Sequence, residues 1–371
     1  MDQARILVIG GGIGGLTSAI ALRQHGHTVT VIERDPDWSV YGVGIIQQGN
    51  VLRAMKQLGL LDDYLAASVG FDAVAVHAPD GTMVARVPSP RLVEGCPANV
   101  GIGRPALQEV LADKTIALGA EVRLGLTADR LDDDGEGVTV SFSDGGSERF
   151  DLVIGADGVH SQTRDMLFPE LEGPQFTGQA VWRYNLPRPA ELDALHVYNG
   201  PIGAGLVPIS EGLMYIYLTT PEPGNPRYPT DGLAAAMRGK MASLPDEIYQ
   251  LGEAIRDDEG VVYRPLEGMM LRGDWHRGRV VLLGDAVHAT TPHLGQGAGM
   301  AIEDSLVLAD ELAKADTPEA AFRAYRDRRY ERCAYIVDKS LEICMGQLGK
   351  GPPVDNAKAT AEMFGVVAQP I

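Results

Sequence analysis

The segment Val8 to Leu16, reading VIGGGIGGL, constrains this chain more than any other because it runs a strand, a tight turn and a helix together. The apolar run Arg5 to Ile9 predicts a buried strand, the residues after the glycines predict a helix to about His25, and Thr28 to Glu33 reads as a second strand. Gly10, Gly12 and Gly15 stand in GxGxxG spacing between them, and acidic Glu33 closes the second strand. Gly10 permits the turn, Gly12 lets the backbone approach a pyrophosphate lying on the helix N-terminus, and Gly15 lets the helix pack on the strand. Ile13 and Gly14 open that helix, and Glu33 can accept hydrogen bonds from a ribose diol. This is a dinucleotide-binding βαβ unit, which does not by itself distinguish NAD from FAD.

A second glycine cluster, GDAVHATTPHLGQGAG at Gly284 to Gly299, makes that distinction. It follows the apolar strand Val280 to Leu283, so Gly284 and Asp285 fall at a strand end, where a carboxylate can accept from the hydroxyls of a ribityl chain. Gly295, Gly297 and Gly299 leave bare backbone for a flat ring. A helix beginning near Ala298 would aim unpaired N–H groups at that ring and favour its reduced, anionic form. FAD is long enough to need both sites.

Three segments in order, VIGGGIGG, DLVIGADGVHSQTR at Asp151 to Arg164, and RVVLLGDAVHATTPHLGQGAGMAIEDS at Arg279 to Ser305, resemble the single-component FAD-dependent aromatic hydroxylases. With GIGRPALQEVL between the first two, the resemblance spans most of the chain. It implies an α/β fold: a Rossmann-like FAD-binding domain of the glutathione reductase kind, an inserted and mainly antiparallel substrate domain, and a C-terminal helix. It further implies that Glu33 and Arg34 hold the adenosine ribose, Arg104 the pyrophosphate and ribityl side, and Ala128 the adenine edge through its backbone. Asp157 and Gly158 would serve FAD and a transient nicotinamide cofactor. Pro292 and the backbone from Gly295 to Met300, including Ala298, would line the flavin ring. The implied cycle reduces FAD with NADH or NADPH, adds O2 as a C4a-hydroperoxide and hydroxylates a small aromatic substrate. The same motifs leave open a two-component flavin monooxygenase or epoxidase and a flavin-binding protein without turnover. The WxWxIP signature of flavin halogenases is absent, since Trp38, Trp182 and Trp275 stand isolated.

The chain has 371 residues, enough for two domains, and texture divides it. Residues 1–70, 98–172 and 273–330 read as the FAD-binding domain, 71–97 and 173–272 as the substrate domain, and 331–371 as a terminal helix and tail. Ala73 to Val87 alternates around Pro79-Asp80-Gly81 as a hairpin, and Glu121 to Phe150 reads as an antiparallel group of strands. Thr230 to Ser243 predicts a helix, as does Pro318 to about Gln347, whose Arg323, Arg326, Arg328, Arg329 and Arg332 are expected on a solvated face or at a subunit contact. Glu303 and Asp304 are expected to complement a helix dipole.

The net charge of -18, with acidic residues dispersed, excludes nucleic acid and anionic membrane surfaces as partners. Cys96, Cys333 and Cys344 lack metal or disulfide spacing, which suits reduced thiols, no metal site and a cytoplasmic protein; a monomer or homodimer is expected, with no sequence feature that chooses between them. Met1 to Arg5 balances one Asp against one Arg and gives no export n-region.

Substrate contacts are sought in the second domain. LMYIYL alternates so that Tyr215 and Tyr217 share one strand face, and AVWRYN puts Trp182 and Tyr184 opposite Arg183. Tyr217 and then Tyr215 are the substrate-contact candidates, with core packing the competing role. His196 and His293 are candidate bases, and His288 shapes the second glycine loop. Ile46 stands where some hydroxypyridine hydroxylases of this family carry His, which leaves Gln47 as a candidate polar contact.

Overall fold

A computed structural model describes residues 3–371, so Met1 and Asp2, part of the segment read for an export signal, lie outside the described residues. Arg5–Ile9, Thr28–Glu33 and Leu152–Gly155 form the centre of a six-stranded sheet, flanked by Glu121–Leu124 on one side and Val280–Leu282 with His276–Arg277 on the other. The neighbours run parallel except the last pair. Parallel strands are covered on both faces, which is why they read as continuous apolar runs. Helix Ile13–Gln24, which carries the first glycine segment, packs on helix Gly297–Lys314, which carries the second. Ser305 Oγ lies 2.8 Å from Thr17 Oγ1 and donates to the Gly14 carbonyl at 3.2 Å, so small residues bring the two glycine segments together.

Glu121–Leu124 corrects the expected antiparallel grouping: it pairs parallel with Thr28–Glu33, and only Ala128–Asp133, Val138–Phe142 and Ser147–Phe150 form the antiparallel three-stranded sheet. The short turn at Gly125, Leu126 and Thr127 hides this change of sheet from a reading of alternation.

A seven-stranded sheet runs in the order Val262–Gly268, Gln175–Pro187, Leu213–Pro221, Gly203–Pro208, Leu195–Tyr198, Ala73–His77, Met83–Pro88. Its pairs are antiparallel apart from Leu195–Tyr198 with Ala73–His77. The outer face is buried under Leu233–Lys240 and Asp246–Leu251, with Trp182, Ile216, Leu218, Met237 and Met241 in that core. The inner face looks toward the six-stranded sheet. Gly44–Gln48, Asn99–Gly103 and Ser68–Phe71 make a connecting sheet, and a Cβ on Gly101 would lie 1.8 Å from the Pro208 carbonyl oxygen. Bare backbone is therefore required where the two halves meet.

Pro318–Gln347 is the long helix expected, capped by Thr317, but its arginines divide. Arg323 and Arg328 are exposed, whereas Arg329 is buried and Arg332 nearly so. The terminal helix Asn356–Ala368 then returns across the molecule. Among the described residues, no helix is long and apolar enough to cross a membrane.

Candidate active site

Both glycine segments border one cavity of about 1380 Å³, closed on its far side by the inner face of the seven-stranded sheet. Pockets for one small ligand usually measure about 300–1,000 Å³. This one has room for an elongated cofactor and a second molecule.

At the first segment the glycines serve separate purposes. A Cβ on Gly10, whose φ is +109°, would lie 2.4 Å from the Ala156 carbonyl oxygen, and one on Gly15 would lie 1.8 Å from the Gly10 carbonyl oxygen. Both are demanded by neighbouring backbone, and neither lines the cavity. Gly12 does line it and has no atom within 4 Å of a Cβ position, so its bareness leaves an approach open. Ile13 and Gly14 continue that wall. Glu33 accepts from the Gly11 N–H at 2.7 Å and the Asp35 N–H at 2.9 Å, while Trp38 Nε1 donates to the Gly11 carbonyl at 2.8 Å. Glu33 thus braces the turn and still borders the cavity, as does Arg34. Ala128 lies elsewhere, in a shallow depression with Asp129, Gln162 and Met166.

The second segment presents polar groups that the protein itself leaves unpaired. Asp285 is exposed to the cavity, and the protein packed around it there raises its pKa. Arg104 faces the same space; its buried Nε has no hydrogen-bond partner among the described residues, and burial lowers its pKa. The helix beginning at Gly297 has no side-chain cap, so the first N–H groups, at Gly297 and Ala298, face the cavity unpaired. Pro292, Gly284 and Gly295 also line it. Gly295 (φ +65°) additionally meets Gln48, where a Cβ would lie 2.9 Å from Nε2, and Gly299 makes room for Gln296 and Val51. Gly299 and Met300 are therefore packing residues behind the wall. Gly158 borders the cavity with φ +82°; the Asp157 carboxylate beside it is taken up by Ser161 Oγ at 2.5 Å and by Thr163 N and Oγ1 at 2.9 and 3.0 Å.

A buried ionic network holds this second segment. Arg329 donates to Asp304 at 2.8 Å and Glu303 at 2.7 Å, Arg332 to Glu303 at 2.9 Å, and Asn50 to Glu303 at 3.1 Å. His288 Nε2 lies 2.6 Å from Asp304 Oδ2, which also accepts from the Gly284 N–H at 3.2 Å. Burial opposes the charge on Asp304, but His288 and Arg329 outweigh it and lower its pKa to about 2. Burial likewise opposes the His288 charge, and Cys333 and Asp304 hold it well above the usual histidine value. Glu303 and Asp304 are structural, as expected, but through charge pairing with the long helix and not through a helix dipole. His288, Asp304 and Cys333 approach metal-ligand spacing. Arg329, 3.6 Å from Cys333 Sγ, already supplies the positive charge there.

The inner sheet face carries the substrate candidates. Arg183 pairs in register with Tyr217, Tyr217 with Gly205, and Asn185 with Tyr215. The Tyr217 ring lies over Gly205, where a Cβ would come within 2.2 Å of it, and the Tyr215 ring lies over Gly44. Both tyrosines line the cavity, and burial raises the pKa of each. Arg183 also faces the cavity and has no carboxylate partner among the described residues. Burial and the neighbouring Arg104 lower its pKa to about 10, which leaves it charged at neutral pH. Sequence reading placed Arg183 opposite Trp182 without following it inward, although strand alternation carried that signal. Gln47 is buried away from the cavity with both amide atoms unpaired, while Gln48 lines it and accepts from Gln296 at 2.8 Å. His196 packs against His77 outside the cavity. His293 lines the cavity, held by Thr291 at 2.9 Å and Gln347 at 3.1 Å, and burial lowers its pKa to about 4.

An open glycine turn, two unpaired cations, a free strand-end carboxylate and an uncapped helix N-terminus together fit FAD. Comparison with known proteins agrees. Residues 3–225 and 264–340 match a family described as FAD binding domain. A Bacillus subtilis protein named as a putative FAD-dependent monooxygenase, YetM, is 30% identical over 94% of this chain and 95% of its own length. The 3-amino-4-hydroxybenzoate 2-monooxygenase PtmB3 of Streptomyces platensis is 34% identical over 92% of this chain and 88% of its own. The crystal structure of Klebsiella pneumoniae HpxO with FAD and uric acid superposes with a TM-score of 0.84 at 28% identity, covering 98% of this chain and 92% of that one.

Proposed function

The chain belongs to the FAD-binding-domain family of flavin-dependent monooxygenases, and from that premise we propose that it hydroxylates a small aromatic or heteroaromatic compound, with NADH or NADPH as reductant and O2 as oxidant. The observation that carries this reading is the single cavity shared by both glycine segments and the tyrosine-bearing sheet face. Relatives named for 3-amino-4-hydroxybenzoate and a neighbour holding uric acid support a ring substrate.

When bound, FAD supplies electron transfer from the nicotinamide and the activation of O2. The chain's residues do the rest. Gly12 and the helix start behind it receive the pyrophosphate with Arg104, Glu33 and Arg34 meet the adenosine ribose, and Asp285 accepts from the ribityl hydroxyls. The N–H groups of Gly297 and Ala298, at the uncapped helix start, would favour negative charge on a flavin ring bound beside them. Tyr217 and Tyr215 flank the substrate, and Arg183, a cation without a protein counter-ion, favours the anionic form of a ring hydroxyl. The seven-stranded sheet roofs this space and restricts water. Residues 1–70, 98–172 and 273–330 form the cofactor domain in this reading, 71–97 and 173–272 the substrate domain. Three buried free cysteines support a reducing, cytoplasmic setting.

Stopped-flow mixing of the FAD-loaded protein with NADH or NADPH tests the proposal. Flavin bleaching should accelerate at least tenfold when a suitable hydroxylated aromatic is present. Bleaching by neither nucleotide, with or without ring compounds, would overturn self-sufficient hydroxylation and point to a separate reductase.

A further inference from the structure

The inner face of the seven-stranded sheet changes character along one cross-strand row. Arg183 pairs with Tyr217, Tyr217 with Gly205, Gly205 with Val197, and Val197 with Val76. Adjacent strands lie about 4.8 Å apart, so the row crosses roughly 19 Å from a guanidinium to an isopropyl group. Val207, Leu195 and Val74 extend the aliphatic end beside it, and all line the cavity.

The terminal helix closes this end. Asn356, Thr360, Met363 and Phe364 recur at helical spacing and turn one face to the cavity. Met363 Sδ lies 3.7 Å from Gln296 Nε2, which sets the helix beside the second glycine segment. Its far end is fixed by Arg53, which donates to the carbonyls of Val367, Ala368 and Gln369 at 3.2, 3.1 and 2.9 Å, and by Arg332, which donates to Gln369 and Pro370 at 2.7 and 2.9 Å. Among the polar groups at this end, His293 is engaged with Gln347 and the Asn356 amide donates to Asn199, which leaves Asn356 Oδ1 as the unpaired acceptor. No Asp, Glu, Lys or Arg on the strands or terminal helix enclosing this end lines the cavity there.

We propose that the aliphatic end receives an apolar substituent of the substrate, so that the substrate is an aromatic ring carrying an alkyl or comparable aliphatic side chain, with the terminal helix setting how much of that chain fits. This deepens the hydroxylase reading and rests on it for the position of the ring. A small ring acid would leave the apolar end filled with poorly bonded water, whereas an alkyl group displaces that water at a gain of about fourfold in affinity per methylene buried.

The test uses FAD-loaded protein and phenol, 4-propylphenol and 4-butylphenol as probes, with dissociation constants read from calorimetry and from perturbation of the flavin absorbance. Affinity should rise at least threefold per methylene. Thr360→Trp, which fills the apolar end, should remove that gain while leaving phenol affinity and flavin content unchanged. Phe364→Ala should extend the gain to longer chains. Equal affinity for all three phenols, or an undiminished gain in a Thr360→Trp protein that retains FAD, would overturn the proposal. Turnover of phenol without any alkyl gain would leave the hydroxylase reading intact, while alkyl-dependent binding with no stimulated flavin reduction would remove that reading and keep the apolar site.

Discussion

The two glycine segments meet along one cavity, yet they are built by different rules. In the first, Gly10 and Gly15 are forced by backbone within the same βαβ unit, and only Gly12 is left bare toward the cavity. In the second, Gly295 and Gly299 lie against the side chains of Gln48, Gln296 and Val51, and the whole segment is tied through Glu303, Asp304 and His288 to Arg329, 25 residues after Asp304. One loop holds its shape through local geometry; the other borrows it from a buried ionic network.

The largest expected effect challenges the second rule. Arg329→Met removes one cationic partner from each of two buried carboxylates, leaving Glu303 to Arg332 and Asn50 and Asp304 to His288, and losing one partner of a buried pair costs about 3–5 kcal/mol. Denaturant unfolding should show that loss, and wild-type stability would mean the network does not hold the loop. Gly15→Ala follows, at roughly 1–3 kcal/mol or more, because the new methyl meets backbone that cannot turn aside. Gly12→Ala is its counterpart: unfolding should stay within about 0.5 kcal/mol of wild type, while FAD titration should show affinity down about tenfold. Equal behaviour of the two variants would erase the division between packing and approach.

Acidification probes the second segment next. His293 is neutral in the fold down to about pH 4, whereas the unfolded chain takes up that proton near pH 6.5. The unfolded state therefore binds more protons between those values, and stability should fall as pH drops from about 6.5 toward 4. His293→Gln should flatten that slope in unfolding curves recorded across the window. The smallest effect belongs to Gln47, whose unpaired amide stands away from the cavity. Gln47→Leu should leave substrate affinity unchanged and stability equal or slightly higher. Weakened substrate binding would return Gln47 to the site.

The same contrast explains what was legible in the sequence. The strand, turn and helix around Gly10 to Gly15 are fixed by residues a few positions apart, so spacing alone carried them. The tyrosine pair was readable because alternation on a strand is local; the same alternation carried Arg183, which was set opposite Trp182 and Tyr184 but not assigned to the site. The buried position of Arg329 was not readable: a helix with arginines spread along it resembles a solvated face until Glu303 and Asp304 are known to oppose it. The placement of Glu121–Leu124 failed for the same kind of reason, since a parallel partner nearly a hundred residues away leaves no local trace. Helix Asn356–Ala368 as a cavity wall depends on chain return over the sheet, which no short pattern records.

The most direct measurement is the mass of the product formed under 18O2 by the FAD-loaded protein with NAD(P)H and an aromatic substrate that accelerates flavin bleaching. One labelled oxygen atom incorporated into the ring compound is the expected result. Nicotinamide oxidation that yields only hydrogen peroxide with every ring compound that speeds bleaching, and no labelled product, would contradict a monooxygenase site in this cavity.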